Sequence, residues 1–229
     1  MHRFYIFFLA GLILASCDVK TSNQTPQITE AYKTLESKLP FIPLGAGDTI
    51  NCSKMAFGPG QTQGPSVIPI LELQDAIPSD LLEQAGFISY QEESGSNVFD
   101  SLSLYYALGR LGFGENKEGL IIGRYRNERQ YSAHVFVFDK AAASFVGTQS
   151  LHFVLEGGNY KGARDAWITD LNGDGSPDVV YNFKADFESE DPELAYSIRD
   201  SLHAEAWTGK AFADLLIDDP DMLRQALGL

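Results

Sequence analysis

The nine residues D-L-N-G-D-G-S-P-D, from Asp170 to Asp178, set acidic and amide side chains at alternate positions with two glycines among them. Three aspartates packed this closely repel one another unless something neutralises them. A hard divalent cation such as calcium does so, by taking about six to eight oxygen ligands at about 2.3–2.6 Å. A short loop supplies them when side chains at positions 1, 3 and 5 turn inward. A backbone carbonyl at position 7 and a carboxylate at position 9 complete the set, with glycine near position 6 for the sharp reversal. Here those positions are Asp170, Asn172, Asp174, Ser176 and Asp178, and Gly175 is the sixth residue. The spacing predicts a Ca2+ site with a structural role, pinning two strands together. The alternative is a plain turn, in which Asn-Gly and Asp-Gly reverse the chain and the aspartates only accept hydrogen bonds from backbone amides. Turn chemistry alone does not call for the carboxylate at position 9.

The flanks say which elements hold this loop. An EF-hand would need a glutamate at position 12, where Tyr181 stands, and helices on either side. A-W-I-T before the loop and V-V-Y-N-F after it read as strands instead. Strand, D-x-N-x-D-G-x-x-D loop, strand resembles the calcium loop of FG-GAP and VCBS repeats, found in integrin-like β-propellers and in many bacterial surface proteins. Trp167-Ile168-Thr169-Asp170 and Asp178-Val179-Val180 fit that setting. Ala206-Trp207-Thr208-Gly209-Lys210-Ala211-Phe212 is similar to the aromatic-turn-aromatic hairpin that ends such a repeat. The resemblance spans residues 119–217, and the loop is its specific part. It implies bound calcium and blade-like sheets. A propeller needs at least four blades of about 40–50 residues, and the family normally repeats its loop at a regular period, whereas one loop is present here. The expected fold is therefore mainly β with a few short helices, built as one or two four-stranded antiparallel units rather than a complete propeller.

The chain opens M-H-R-F-Y-I-F-F-L-A-G-L-I-L-A-S-C. Arg3 supplies a short positive segment, and the apolar run that follows is shorter than the roughly 20 residues of a membrane span. It suits a secretory signal. Leu14-Ala15-Ser16-Cys17 resembles the lipobox of bacterial lipoproteins. That resemblance implies cleavage after residue 16, a lipid on the Cys17 thiol, and a polar tether over residues 17–27. It places the chain in the bacterial cell envelope, lipid-anchored and facing outside the cytoplasm, with the inner or outer membrane left open.

Composition bounds the remainder. Hydrophobic residues make up 44% and aromatics 12%, which suits a folded chain. A formal net charge of −14 argues against nucleic-acid partners. With Cys17 lipidated, Cys52 stands alone, so no internal disulfide forms and it reads as a small buried hydrophobe. Residues 28–101 read as helix- and loop-rich. I-T-E-A-Y-K-T-L-E-S-K-L forms a short amphipathic helix, V-I-P-I-L-E-L a strand, I-P-S-D-L-L-E-Q-A-G-F a helix capped by Ser79 and stopped by Gly86, and Q-E-E-S-G-S-N a loop. Residues 102–229 read as about eight strands in two runs of four, then a C-terminal helix beginning at Pro220.

No nucleophile motif is present: neither G-x-S-x-G nor H-E-x-x-H occurs. His134 and His152 fall at strand-like runs and read as half-buried neutral side chains. R-Y-R-N-E-R gathers Arg124, Arg126 and Arg129 at a strand end, either as a solvated hairpin end or as a dock for an anionic partner or sugar acid. The pattern supports a membrane-anchored calcium-binding module, with an unidentified envelope protein or glycan as partner. The alternatives are an envelope hydrolase with calcium as scaffold, marked by a cleft with paired carboxylates or one carboxyl of raised pKa, and a structural envelope protein or inhibitor, marked by an exposed apolar patch.

Overall fold

A computed structural model describes residues 29–45, 47–55, 57–59, 64–92, 95–189 and 191–229. Residues 1–28, which hold the expected signal segment, Cys17 and the expected tether, lie outside the described residues. Among the described residues the protein is mainly β, with four short helices and antiparallel sheets that close neither a barrel nor a propeller.

The N-terminal part opens with helix α1 (Glu30–Lys38), whose Thr29 hydroxyl caps the amide of Tyr32. Tyr32, Leu35 and Leu39 recur at helical spacing and are all buried. Strand β1 (Thr49–Asn51) leads into a single 3-10 turn, Cys52–Lys54, and strand β2 (Val67–Ile68) follows. The V-I-P-I-L-E-L segment departs from the expected strand. Only Val67 and Ile68 are extended, and Pro69, whose fixed φ suits a helix entry, starts helix α2 (Ile70–Ala76). Helix α3 (Ser79–Gln84) begins one residue earlier than a Ser79 cap would require. Pro78 is the cap residue and makes no side-chain bond. Gly86, at φ +67°, ends it in the left-handed region that glycine adopts without strain. The Q-E-E-S-G-S-N stretch is the tip of a hairpin rather than a plain loop, joining β3 (Ile88–Gln91) to β4 (Ser96–Phe99).

Eight further strands complete the fold: β5 (Leu104–Gly112), β6 (Lys117–Asn127), β7 (Gln130–Asp139), β8 (Ser144–Gly157), β9 (Tyr160–Thr169), β10 (Asp178–Phe187), β11 (Tyr196–Trp207) and β12 (Phe212–Asp214). They form an antiparallel meander extended by β2 beside β5. The junction between β8 and β9 is narrow, with register held only over Phe153–Gly157 against Tyr160–Arg164. That seam divides the eight strands into two runs of four. Beyond it, the free edge of β9 is taken by β1, with Thr49 opposite Thr169 and Asn51 opposite Trp167.

Three apolar clusters pack on the sheet among the described residues, two large and one small. α1, α2 and α3 cover one face, packing Tyr32, Leu73 and Phe87 against Leu120, Ile122 and Phe136. A second core gathers Leu111, Phe113, Ile121 and Val135 with Ile168, Val179 and Trp207, so both runs of four meet in it. Cys52 sits here, fully buried, its thiol pushed up to about 12 by desolvation. The hairpin at Thr208–Ala211 forms as its sequence implies, and Trp207 meets Phe212 edge-on at 5.0 Å. Helix α4 (Pro220–Leu227), capped by Asp219 and ended by Gly228, lays Leu223 and Leu227 on Trp167, Val180 and Ala204.

Candidate functional site

Residues 170–178 join the end of β9 to the start of β10. Those strands are in register from Thr169 opposite Asp178 onward, so the loop is a closed cap on a paired ladder. Gly173 and Gly175 stand at φ +74° and +80°, conformations that a side chain would strain, and this is why the loop spends two glycines on so tight a reversal.

Each acidic or amide side chain turns back onto the loop's own amides. Asp170 accepts from Gly173 through Oδ1 at 2.8 Å and from Gly175 through Oδ2 at 3.0 Å. Asn172 Oδ1 accepts from the amide of Asp174 at 2.9 Å, and Asp174 Oδ1 accepts from that of Ser176 at 2.7 Å. Asp178 Oδ2 accepts from Leu171 at 2.8 Å and from Asn172 at 3.3 Å. Among the described residues no three His, Cys, Asp or Glu side chains are gathered into a group that could hold a metal ion. The chain therefore brings the five predicted positions into one loop, while the carboxylates face backbone donors.

Asp178 differs from the others. It is 1% exposed, and its Oδ1 is buried with no hydrogen-bond partner. Burial, with added repulsion from Asp174 and Asp170, raises its pKa above the ordinary 3.8 despite the two amide bonds. A buried anion with an orphaned oxygen is costly, and such a group calls for a partner. The donor types fit a hard cation: three carboxylates and an amide oxygen, in which every oxygen engaged by an amide keeps a second lone pair. Nearby, a Cβ added at Gly114, in the turn between β5 and β6, would lie 3.5 Å from Ser176 Oγ, so that turn flanks the loop.

The histidines are more deeply buried than their strand positions suggested. His134 is 8% and His152 5% exposed. Burial, reinforced by the charges of Arg164 and Arg124, pushes His134 down to about 3. His152 is also lowered, chiefly by burial, and its Nδ1 lies 2.6 Å from the Arg164 carbonyl. Neither joins a ligand set among the described residues. The arginine cluster divides. Arg124 and Arg126 share the Asp100 carboxylate at 2.9 and 3.4 Å, while the Arg129 backbone accepts from the Glu156 amide in the hairpin turn.

Sequence reasoning missed a half-buried polar chain. Arg164 lies over the Tyr181 ring with 3.3 Å to the centroid, Tyr181 donates to Glu205 at 3.1 Å, and Gln149 donates to the other Glu205 oxygen. Its members come from four separate strands, so no local spacing announces it. Asp178 meets the raised-pKa mark of a hydrolase, yet it is sealed from solvent and lies outside the cavity bordered by Arg124 and Arg126. No helix among the described residues is long and apolar enough to cross a membrane.

No protein-family model matches the chain, and neither a curated protein nor a solved structure matches it.

Proposed function

We propose that this chain is a lipid-anchored, extracytoplasmic calcium-binding protein that acts as a binding or assembly module in the bacterial envelope. The observation that carries the calcium reading is Asp178 Oδ1, a buried carboxylate oxygen without a partner beside Asp170 and Asp174. A cation would supply that partner and relieve the repulsion that raises the Asp178 pKa. Its effect would be structural, joining β9 to β10 and stabilising the fold by mass action at extracellular ion levels. The lipid anchor rests on the Leu14–Cys17 motif. A binding role is preferred to hydrolysis because the one carboxyl with a raised pKa among the described residues cannot reach a substrate. A surface for assembly is the outer edge of β11, where β12 covers only Glu205–Trp207 and leaves Tyr196 and Ile198 exposed.

The test is thermal unfolding of the full chain in mild detergent, with calcium and with chelator. Calcium should raise the midpoint clearly, and Asp174→Ala should abolish the rise. An unchanged midpoint in wild type would reduce the loop to a turn. Incorporation of labelled palmitate that disappears in Cys17→Ala checks the anchor separately.

A further inference from the structure

The arginine pair left over from the function above borders a cavity of about 360 Å³ between the ends of β6, β7 and β8. That volume is at the small end of the roughly 300–1,000 Å³ typical of ligand pockets. Its walls combine the apolar faces of Phe153 and Leu155 with the hydroxyls of Ser132 and Ser150. Leu155 is 45% exposed although it lies within a strand, an apolar side chain with no cover of its own.

The charge at the mouth is unbalanced. Among the described residues Asp100 is the one carboxylate paired with Arg124 and Arg126, so two guanidinium charges meet one negative charge there. Arg124 is held at all three of its nitrogens: Nε donates to Ser103 at 3.0 Å, Nη1 to the Gly86 carbonyl at 2.7 Å and Nη2 to Asp100 at 2.9 Å. Arg126 is held more loosely. Its Nη1 donates to Gln130 at 3.1 Å, its Nε reaches Asp100 only at 3.4 Å, and its side chain is 40% exposed. In a chain of net charge −14, a surplus of positive charge at this rim favours an anionic ligand over a cation. His134 forms part of the lining and is neutral at ordinary pH, so it offers one donor and one acceptor without adding charge.

We propose that this cavity binds a small organic anion, a carboxylate joined to a compact aromatic or branched aliphatic body, with the carboxylate on Arg126 and the body against Phe153 and Leu155. An inorganic anion would leave the apolar walls wet. An uncharged apolar molecule would leave the rim charge unanswered, and a larger glycan would not enter. The site is independent of the calcium loop, since none of its lining residues belongs to residues 170–178.

The experiment is fluorine NMR of para-fluorobenzoate added to the full chain in detergent. Controls are para-fluorobenzyl alcohol, which has the body without the charge, and inorganic phosphate, which has the charge without the body. Saturable broadening of the benzoate signal is expected. Arg126→Ala, which removes the charge-assisted contact, and Leu155→Glu, which replaces an apolar contact with a charge that repels the carboxylate, should each weaken binding about tenfold. Both side chains are partly exposed, and circular dichroism of each variant checks that it folds. The proposal is overturned if the benzoate does not saturate, or if both folded variants bind it as wild type does. It is equally overturned if the alcohol binds as tightly, which would mean an apolar hole, or if phosphate displaces the benzoate at equal concentration, which would mean an undifferentiated anion patch.

Discussion

Glu118 and Asp178 are both buried acids on strands of the same sheet, at 4% and 1% exposure, and their surroundings push them in opposite directions. Burial alone would raise the pKa of Glu118. The Tyr32 hydroxyl at 2.7 Å and the Arg110 guanidinium at 2.5 Å, with Lys140 at 3.3 Å, outweigh it and hold the carboxyl below the ordinary 4.5. Asp178 has only two backbone amides and one orphaned oxygen, among like charges, and is raised. The difference teaches that burial does not decide what an acid does in a fold. The count of donors around it does. Glu118 is a finished structural joint between α1 and the sheet, and Asp178 is one partner short.

The contrast can be broken by mutation. Glu118→Leu leaves the Tyr32 hydroxyl without its acceptor and Arg110 with only Glu36 and the Leu39 carbonyl, and should cost about 2–3 kcal/mol, less than for a fully buried pair because Arg110 and Lys140 keep some water. Chemical denaturation measures it. Tyr32→Phe removes one charge-assisted hydrogen bond while keeping the ring stacked on Phe138, and should cost about 1.5 kcal/mol by the same assay. Asp178→Asn, measured with chelator, should stay within about 1 kcal/mol of wild type, because the amide keeps an acceptor for Leu171 and loses the repelled charge. The same variant should lose the calcium-dependent rise. A chelator-state loss as large as that of Glu118→Leu would show that Asp178 is already satisfied.

Acid titration of the midpoint sharpens the comparison further and has the smallest expected effect. The folded pKa of Glu118 is lowered, so its contribution is full above 4.5 and is lost as the pH falls through the folded value. The folded pKa of Asp178 is raised, so its charge penalises the fold above that value, and the penalty fades as the pH falls toward 3.8. With chelator present, the difference between wild type and Asp178→Asn should therefore shrink on mild acidification, before the difference between wild type and Glu118→Leu begins to close.

Much of the β region was legible because its signals are local. Alternation in A-H-V-F-V-F-D, glycine at the Thr208–Ala211 turn and Pro220 after Asp219 each act within a few residues, and the strands, hairpin and helix formed there. β9 shows where local signals stop. Its first half, Y-K-G-A-R-D, is polar enough to resemble a loop, and it is a strand because β10 and β8 pair with it on both sides. V-I-P-I-L-E-L misled for the opposite reason, since a short apolar run suits strand or helix and the proline decided it. In the loop, spacing placed all five residues together. It could not reveal that Asp178 would be buried at the head of β10 with one oxygen unmatched, which depends on tertiary packing around it. The joining of Asp100 to Arg124 and Arg126 was likewise invisible, because Asp100, in the link from β4 to β5, meets those β6 side chains only in the folded chain.

The insertion of β1 along β9 sets an order of events. Thr49 and Thr169, whose hydroxyls lie 3.4 Å apart, are separated by 120 residues of chain. A chain delivered N-terminus first exposes Thr49–Asn51 long before the edge that receives it exists. Local hairpins such as that of β6 and β7 close early, and long-range pairings are slow. The β1 segment must therefore wait, solvated and extended, until the second run of strands has assembled. Closure of the molecule then becomes a late kinetic event, and the interval before it is when the unfilled edge of β9 is most open to capture by another strand.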